Sequence, residues 1–203
     1  MALTINQAFT HAISHIKGPS TYATAEEVRM ANTVQSIISG YYRWHWLQAA
    51  ATDIAVSAGN QDLTMAAGDQ NTLYAIASAF LVEGSTPQPE LIVQSDNPLP
   101  ATTTQGQPYG AGLISPTVIR LYPAADATYT FRWRKYARPV VFTANSESFQ
   151  IPEAFTDVVK AGLNWQVLTY ADDDRADSWK NTFYELLKNH KQIEMQTTGR
   201  NRG

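Results

Sequence analysis

Apolar residues recur at helical spacing at the two ends of the chain and at strand spacing through its middle. From Thr4 to Lys17, Ile5, Phe9, Ala12, Ile13 and Ile16 mark one face of a first helix, and Gly18-Pro19 follows as a stop signal. Thr24 and Glu27 have the spacing of a capping box, which predicts a second helix. Its stripe is Val28, Ala31, Val34, Ile38 and Tyr41, and it ends near Tyr41, Tyr42, Trp44 and Trp46. The period then shortens. Asp53 to Ser57 and Asp62 to Met65 flank Ala58, Gly59 and Asn60 as a hairpin, and Leu73 to Val82 and Glu90 to Gln94 read as strands around a turn from Glu83 to Pro89. Asp96 to Pro116, rich in Pro, Gly, Thr and Gln, has neither period and reads as an extended loop.

Thr117 to Tyr122 and Thr128 to Tyr136 follow as strands. In the second, Tyr129, Phe131 and Trp133 point one way and Thr130, Arg132 and Arg134 the other. Pro152 suits the start of a third helix, with Phe155, Val158, Val159, Gly162 and Trp165 inward, running to about Ala171. Asp172, Asp173 and Asp174 break the pattern and supply a capping carboxylate for a fourth helix, which buries Trp179, Phe183, Leu186, Leu187 and Ile193. Gln196 to Gly203 reads as a flexible polar tail. The fold class implied is α+β in a single domain: a four-helix bundle made of two N-terminal and two C-terminal helices (1–50 and 151–195), with an inserted antiparallel β region at 51–150.

Composition narrows what such a chain does. The 203 residues are 44% hydrophobic with five Trp and ten Tyr, enough for a core without metal or disulfide. Charged residues make up 16%, below the roughly 25% usual for soluble domains, which fits faces covered by neighbours, because desolvating Lys and Glu is costly. A net charge of -3 argues against a basic footprint for nucleic acid. The absence of cysteine excludes thiolate zinc sites and Cys nucleophiles. The N-terminal pattern is not that of a signal peptide, and no apolar run reaches the roughly 18 residues of a membrane span.

Candidate chemistry is sparse. His11 and His15 have a chelating spacing, but Ala-Ile-Ser between them supplies no general base, so they read as helix-face histidines. Asp172 to Asp174 with Asp177 lack the spacing of a calcium loop and are explained by helix capping. No phosphate-binding glycine motif occurs, and Ser115 and Ser146 lack a nucleophile context. Glu83, Glu90 and Glu153 are open to a paired-carboxylate hydrolase but nothing singles them out, and Glu153 with Asp157 are the best candidates for that reading. The aromatic run from Tyr41 to Trp46 reads first as core and second as a carbohydrate or nucleobase stacking platform, the latter giving the alternative of a receptor- or carbohydrate-binding protein. Arg132, Arg134, Lys135 and Arg138 are the local basic group, with Arg132 and Arg134 on one strand face as ion-pairing residues.

The order of parts resembles the head-to-tail adaptor, or connector, proteins of tailed bacteriophages. The resemblance rests on the N-terminal helical pair closing in Tyr41-Tyr42-Arg43-Trp44-His45-Trp46, the strand insertion, the return through Phe149-Gln150-Ile151-Pro152-Glu153-Ala154-Phe155 and Val158-Val159-Lys160-Ala161-Gly162, and the closing amphipathic helix after Trp179-Lys180-Asn181. It implies a structural virion protein and not an enzyme, without cofactor or metal, self-associating as a dodecameric ring. The ring would sit between the portal protein and the next neck or tail protein (stopper or tail tube). DNA would pass through the lumen without specific binding and no membrane would be engaged. It also implies a location at the head-tail interface of the virion after synthesis in the host cytoplasm. By the same resemblance, Gln196, Thr197, Thr198, Arg200 and Arg202 are the portal-binding tail. Thr103, Gln105, Gln107 and Tyr109, in the long loop, are the candidates for contact with a neighbouring subunit or neck protein.

Overall fold

A computed structural model describes residues 3–14, 22–94 and 99–200. The elements in order are α1 (Ile5–Ile13), α2 (Thr24–Tyr41), β1 (Thr52–Val56), β2 (Asp62–Thr64), α3 (Ala67–Thr72), β3 (Leu73–Glu83), β4 (Thr86–Glu90), β5 (Ile92–Gln94), β6 (Gln105–Gly106), β7 (Gly110–Ser115), β8 (Val118–Tyr122), β9 (Ala124–Ala125), β10 (Tyr129–Ala137), α4 (Thr156–Tyr170) and α5 (Ala176–Arg200), with 3-10 turns at His45–Leu47 and Glu153–Phe155. They form two compact units, one from residues 1–46 and 139–203 and one from 47–138.

The four-helix bundle with an inserted antiparallel β region is therefore corrected. Among the described residues the chain is α+β with five helices and three sheets, mostly strands plus the C-terminal pair α4 and α5. The physical reason is that the middle of the chain closes a core of its own. One four-stranded sheet has the order β1-β10-β3-β4, a second β2-β8-β7-β5, and a two-stranded sheet joins β6 to β9. Val56, Ile76, Leu81, Phe131 and Trp133 from the first sheet share one apolar cluster with Leu63, Ala111, Ile119 and Leu121 from the second. The pairing is not wholly antiparallel, since β5 lies parallel to β7 and β6 parallel to β9.

Local chemistry explains several departures from the sequence pattern. β1 and β2 do not form a hairpin: β1 pairs with β10 and β2 with β8, so the link through Gly59, which takes φ of +82°, carries the chain from one sheet to the other. The proline-containing stretch after Glu83 is a strand, paired with β3 through Val82↔Pro87 and Glu83↔Thr86 across a turn at Gly84 with φ of +60°. As an edge strand, β4 tolerates Pro87 and Pro89, which cannot donate to a ladder. Part of the supposed loop is β7, whose small residues conceal it. A Cβ on Gly112 would stand 3.0 Å from the Gln94 carbonyl and 3.5 Å from Leu99, so a larger residue would press on the neighbouring strand.

In the helical unit, α4 packs against α1, α2 and α5. A Cβ on Gly162 of α4 would meet Val34 at 2.8 Å and Phe183 at 2.9 Å, so this residue lets α2 and α5 both approach α4 closely. The capping box lies at α1, where Thr4 and Gln7 bond each other's backbone reciprocally, and not at Thr24, which is already helical and makes no cap bond. The Glu27 carboxylate accepts from Asn145 Nδ2 at 2.9 Å. The expected continuation of the first helix to Ile16 and Lys17, with its Gly18-Pro19 stop, lies outside the described residues.

Candidate interaction surfaces

The end of α5 is the most prominent surface. Phe183 and Leu187 are fully buried, and the backbone N–H of His45 donates to Glu194 Oε1 at 2.7 Å. Next to and beyond that bond, Ile193 is 59% exposed and Met195 46% exposed, so Ile193 is not the core residue its spacing suggested. The helix continues where a flexible tail was expected to begin. Gln196 and Thr197 are exposed on it, the backbone of Thr198 and Arg200 extends it, and Arg202 lies outside the described residues. At its other end the Asp173 carboxylate accepts from the Arg175 backbone N–H at 2.9 Å and from its guanidinium, which holds its pKa down at about 2.

The long-loop candidates are on the sheet unit. Thr103, Gln105, Gln107 and Tyr109 are all exposed. Yet the segment is anchored. Gln61 donates to the Pro100 carbonyl at 2.9 Å and accepts from the Thr102 N–H at 3.0 Å, Gln105 belongs to β6, and Gln107 Nε2 donates to Gln88 Oε1 at 3.1 Å. Tyr109 stacks edge-on against Tyr122 at 5.6 Å.

The basic group separates into different environments. Arg132 makes a bidentate pair with Asp53, both bonds 2.7 Å, across the β1/β10 register, which lowers the pKa of Asp53. Arg134 is exposed on that face. Lys135 turns inward and pairs with Asp69 at 2.8 Å, tying β10 to α3. A matching bidentate pair joins Arg120 to Asp62 on the second sheet at 2.6 and 2.7 Å. Such pairs fix register and leave little free charge for a phosphate.

The aromatic run does not present a platform of three rings. Trp44 is fully buried and donates its indole N–H to the Ile38 carbonyl at 2.6 Å, while Trp46 packs edge-on against Phe155 at 5.9 Å. His190 stacks on the same Phe155 ring at 4.3 Å, and burial holds its imidazole below the ordinary histidine pKa against an opposing pull from Asp157. His15 lies outside the described residues. Among the described residues no group of three or more His, Asp or Glu is placed to hold a metal, and no helix is long and apolar enough to cross a membrane. Glu83 and Glu90 stand at the ends of β3 and β4, and Glu153 lies in the helical unit in the turn before α4. What these surfaces offer is contact by apolar side chains and amides. Two features had no sequence signal that was read: the exposed Val140 and Val141, 60% and 67% accessible, and the side-chain amides of α2 that hold their segment. No protein-family model matches the chain, and no curated protein is similar to it.

Proposed function

We propose that this chain is a structural virion protein of a tailed bacteriophage, a ring-forming connector at the head-tail interface that joins the portal to the next neck or tail protein and surrounds the DNA channel. The observation that carries the reading is the end of α5, where Ile193 and Met195 are exposed. An exposed apolar helix end is suited to insertion into a partner's groove, where the exposed surface of Ile193 and Met195 would be removed from water. The 16% charged composition supports extensive coverage by neighbours, and the net charge of -3 supports a channel wall that does not grip phosphate. In this reading the α5 end with Gln196, Thr197, Thr198, Arg200 and Arg202 docks on the portal, and the face around Thr103, Gln105, Gln107 and Tyr109 meets the neighbouring subunit or neck protein.

Co-purification with the portal, for the full chain and for a chain ending at Met195, tests it. The full chain is expected to be retained in rings visible by electron microscopy and the shortened chain to be lost. Monomers alone in the presence of portal overturn the reading.

A further inference from the structure

The inward line of α5 runs out before the helix does. Phe183 and Leu187 are buried, His190 stacks on Phe155 at 4.3 Å, and Glu194 accepts the His45 N–H at 2.7 Å. These residues recur at steps of four, three and four, so they share one side of the helix. The next position on that line is Thr197. It is exposed and turns its hydroxyl to the Ile193 carbonyl of its own helix at 2.9 Å. Met195 and Gln196 are exposed as well, while the backbone stays helical to Arg200. From Glu194 to Arg200 the helix is therefore a post about 9 Å long at 1.5 Å per residue.

The two apolar side chains of this end do not share a face. Ile193 and Met195 stand two positions apart, which at about 100° per residue places them about 160° apart around the axis. Gln192 and Gln196, both exposed, occupy the outward arc between them. A helix that packs on one surface, or on a second helix, buries a stripe of roughly 100°. A single wall laid over Ile193 would thus leave Met195 in water. Charge is also absent from the outward arc. Between Gln192 and Gly199 the sequence holds one charged residue, Glu194, and its carboxylate is turned inward to the His45 N–H.

The geometry points to a two-walled socket. The end of α5 enters a recess of the portal whose facing walls are apolar, one taking Ile193 and the other Met195, and whose floor is uncharged and offers hydrogen-bonding groups to the amides of Gln192 and Gln196. The inference rests on the connector reading above and names what the portal presents to the docking end.

Ile193→Gln and Met195→Gln, each made in the full chain, are titrated against purified portal. Both positions are exposed in the free chain, so the thermal midpoint is expected to hold. Each variant alone is expected to weaken portal binding about tenfold, the order that follows when one aliphatic side chain is no longer taken out of water. Because the chain lacks cysteine, Ile193→Cys and Met195→Cys report burial directly, and maleimide labelling is expected to slow at both once portal is added. Weakening and protection at one position and not the other would mark a single groove wall, or a second helix against one flank; that result overturns the socket and leaves the connector reading standing. Native-strength binding by both Gln variants does the same. A native chain that portal never retains removes the connector reading, and the socket with it.

Discussion

The helical unit is built from two stretches of chain that the whole sheet unit separates in sequence, while the sheet unit is one continuous stretch. The two are stitched differently. In the sheet unit, remote segments are held by backbone ladders backed by an apolar core, with bidentate pairs such as Asp53–Arg132 reading the register from outside. In the helical unit, the returning chain is held by the side chains of a few α2 residues together with isolated backbone bonds to the start of α1. Asn32 holds Phe142, Gln35 holds Val140 and Gln150, Glu27 holds Asn145, and the Ile5 and Asn6 N–H groups donate to the carbonyls of Glu147 and Asn145. A ladder distributes its bonds over many residues, so one substitution loses little pairing; an amide clamp concentrates them in one side chain.

The contrast can be broken in three ways. Phe131→Ala strips a fully buried ring from the sheet core and is expected to cost about 3–5 kcal/mol by urea denaturation. A cost under about 1 kcal/mol would mean that the ladders, not the core, hold that unit. Asn32→Leu keeps the bulk but leaves the Phe142 N–H and C=O without their partner, with an expected loss of about 1–3 kcal/mol and faster amide exchange at Phe142. Unchanged exchange there would show that the clamp is dispensable. The smallest effect is at Asp173. Its folded pKa of about 2 lies below the ordinary value of 3.8, so its contribution is present above about pH 4 and is lost as pH falls towards 2. The thermal midpoint of Asp173→Asn is therefore expected below that of the native chain at pH 7, with the gap closing across that window; a gap independent of pH would remove the carboxylate as its cause.

The same contrast explains what the sequence discloses. β10 is legible because its pleat puts Tyr129, Phe131 and Trp133 inside while Arg132 and Arg134 stay outside; the helix expected to open at Pro152 instead begins at Thr156, after a 3-10 turn at Glu153–Phe155 that Pro152 precedes. Partner choice is not legible. Nothing local tells β1 to seek β10 rather than β2, because a strand's alternation describes its faces and not its neighbours. β7 escapes detection because Gly110, Ala111 and Gly112 are buried by close backbone approach, which leaves no hydrophobic signal. The capping box expected at Thr24 is not made, since Thr24 sits within the helix and Glu27 is drawn to Asn145, and the reciprocal cap forms at Thr4 and Gln7 instead. The amide clamp on residues 139–143 escaped because Asn32 and Gln35 look like ordinary solvent-facing positions of α2 until the returning chain is in place.

Gly162 has a mechanical consequence. By admitting Val34 and Phe183 to the same point on α4, it gives α5 a fulcrum near Phe183. From there to Arg200 the helix runs roughly 25 Å at 1.5 Å per residue. A few degrees of tilt at the glycine would then swing the far tip by an ångström or more, a motion that the His45–Glu194 bond and the His190–Phe155 stack resist.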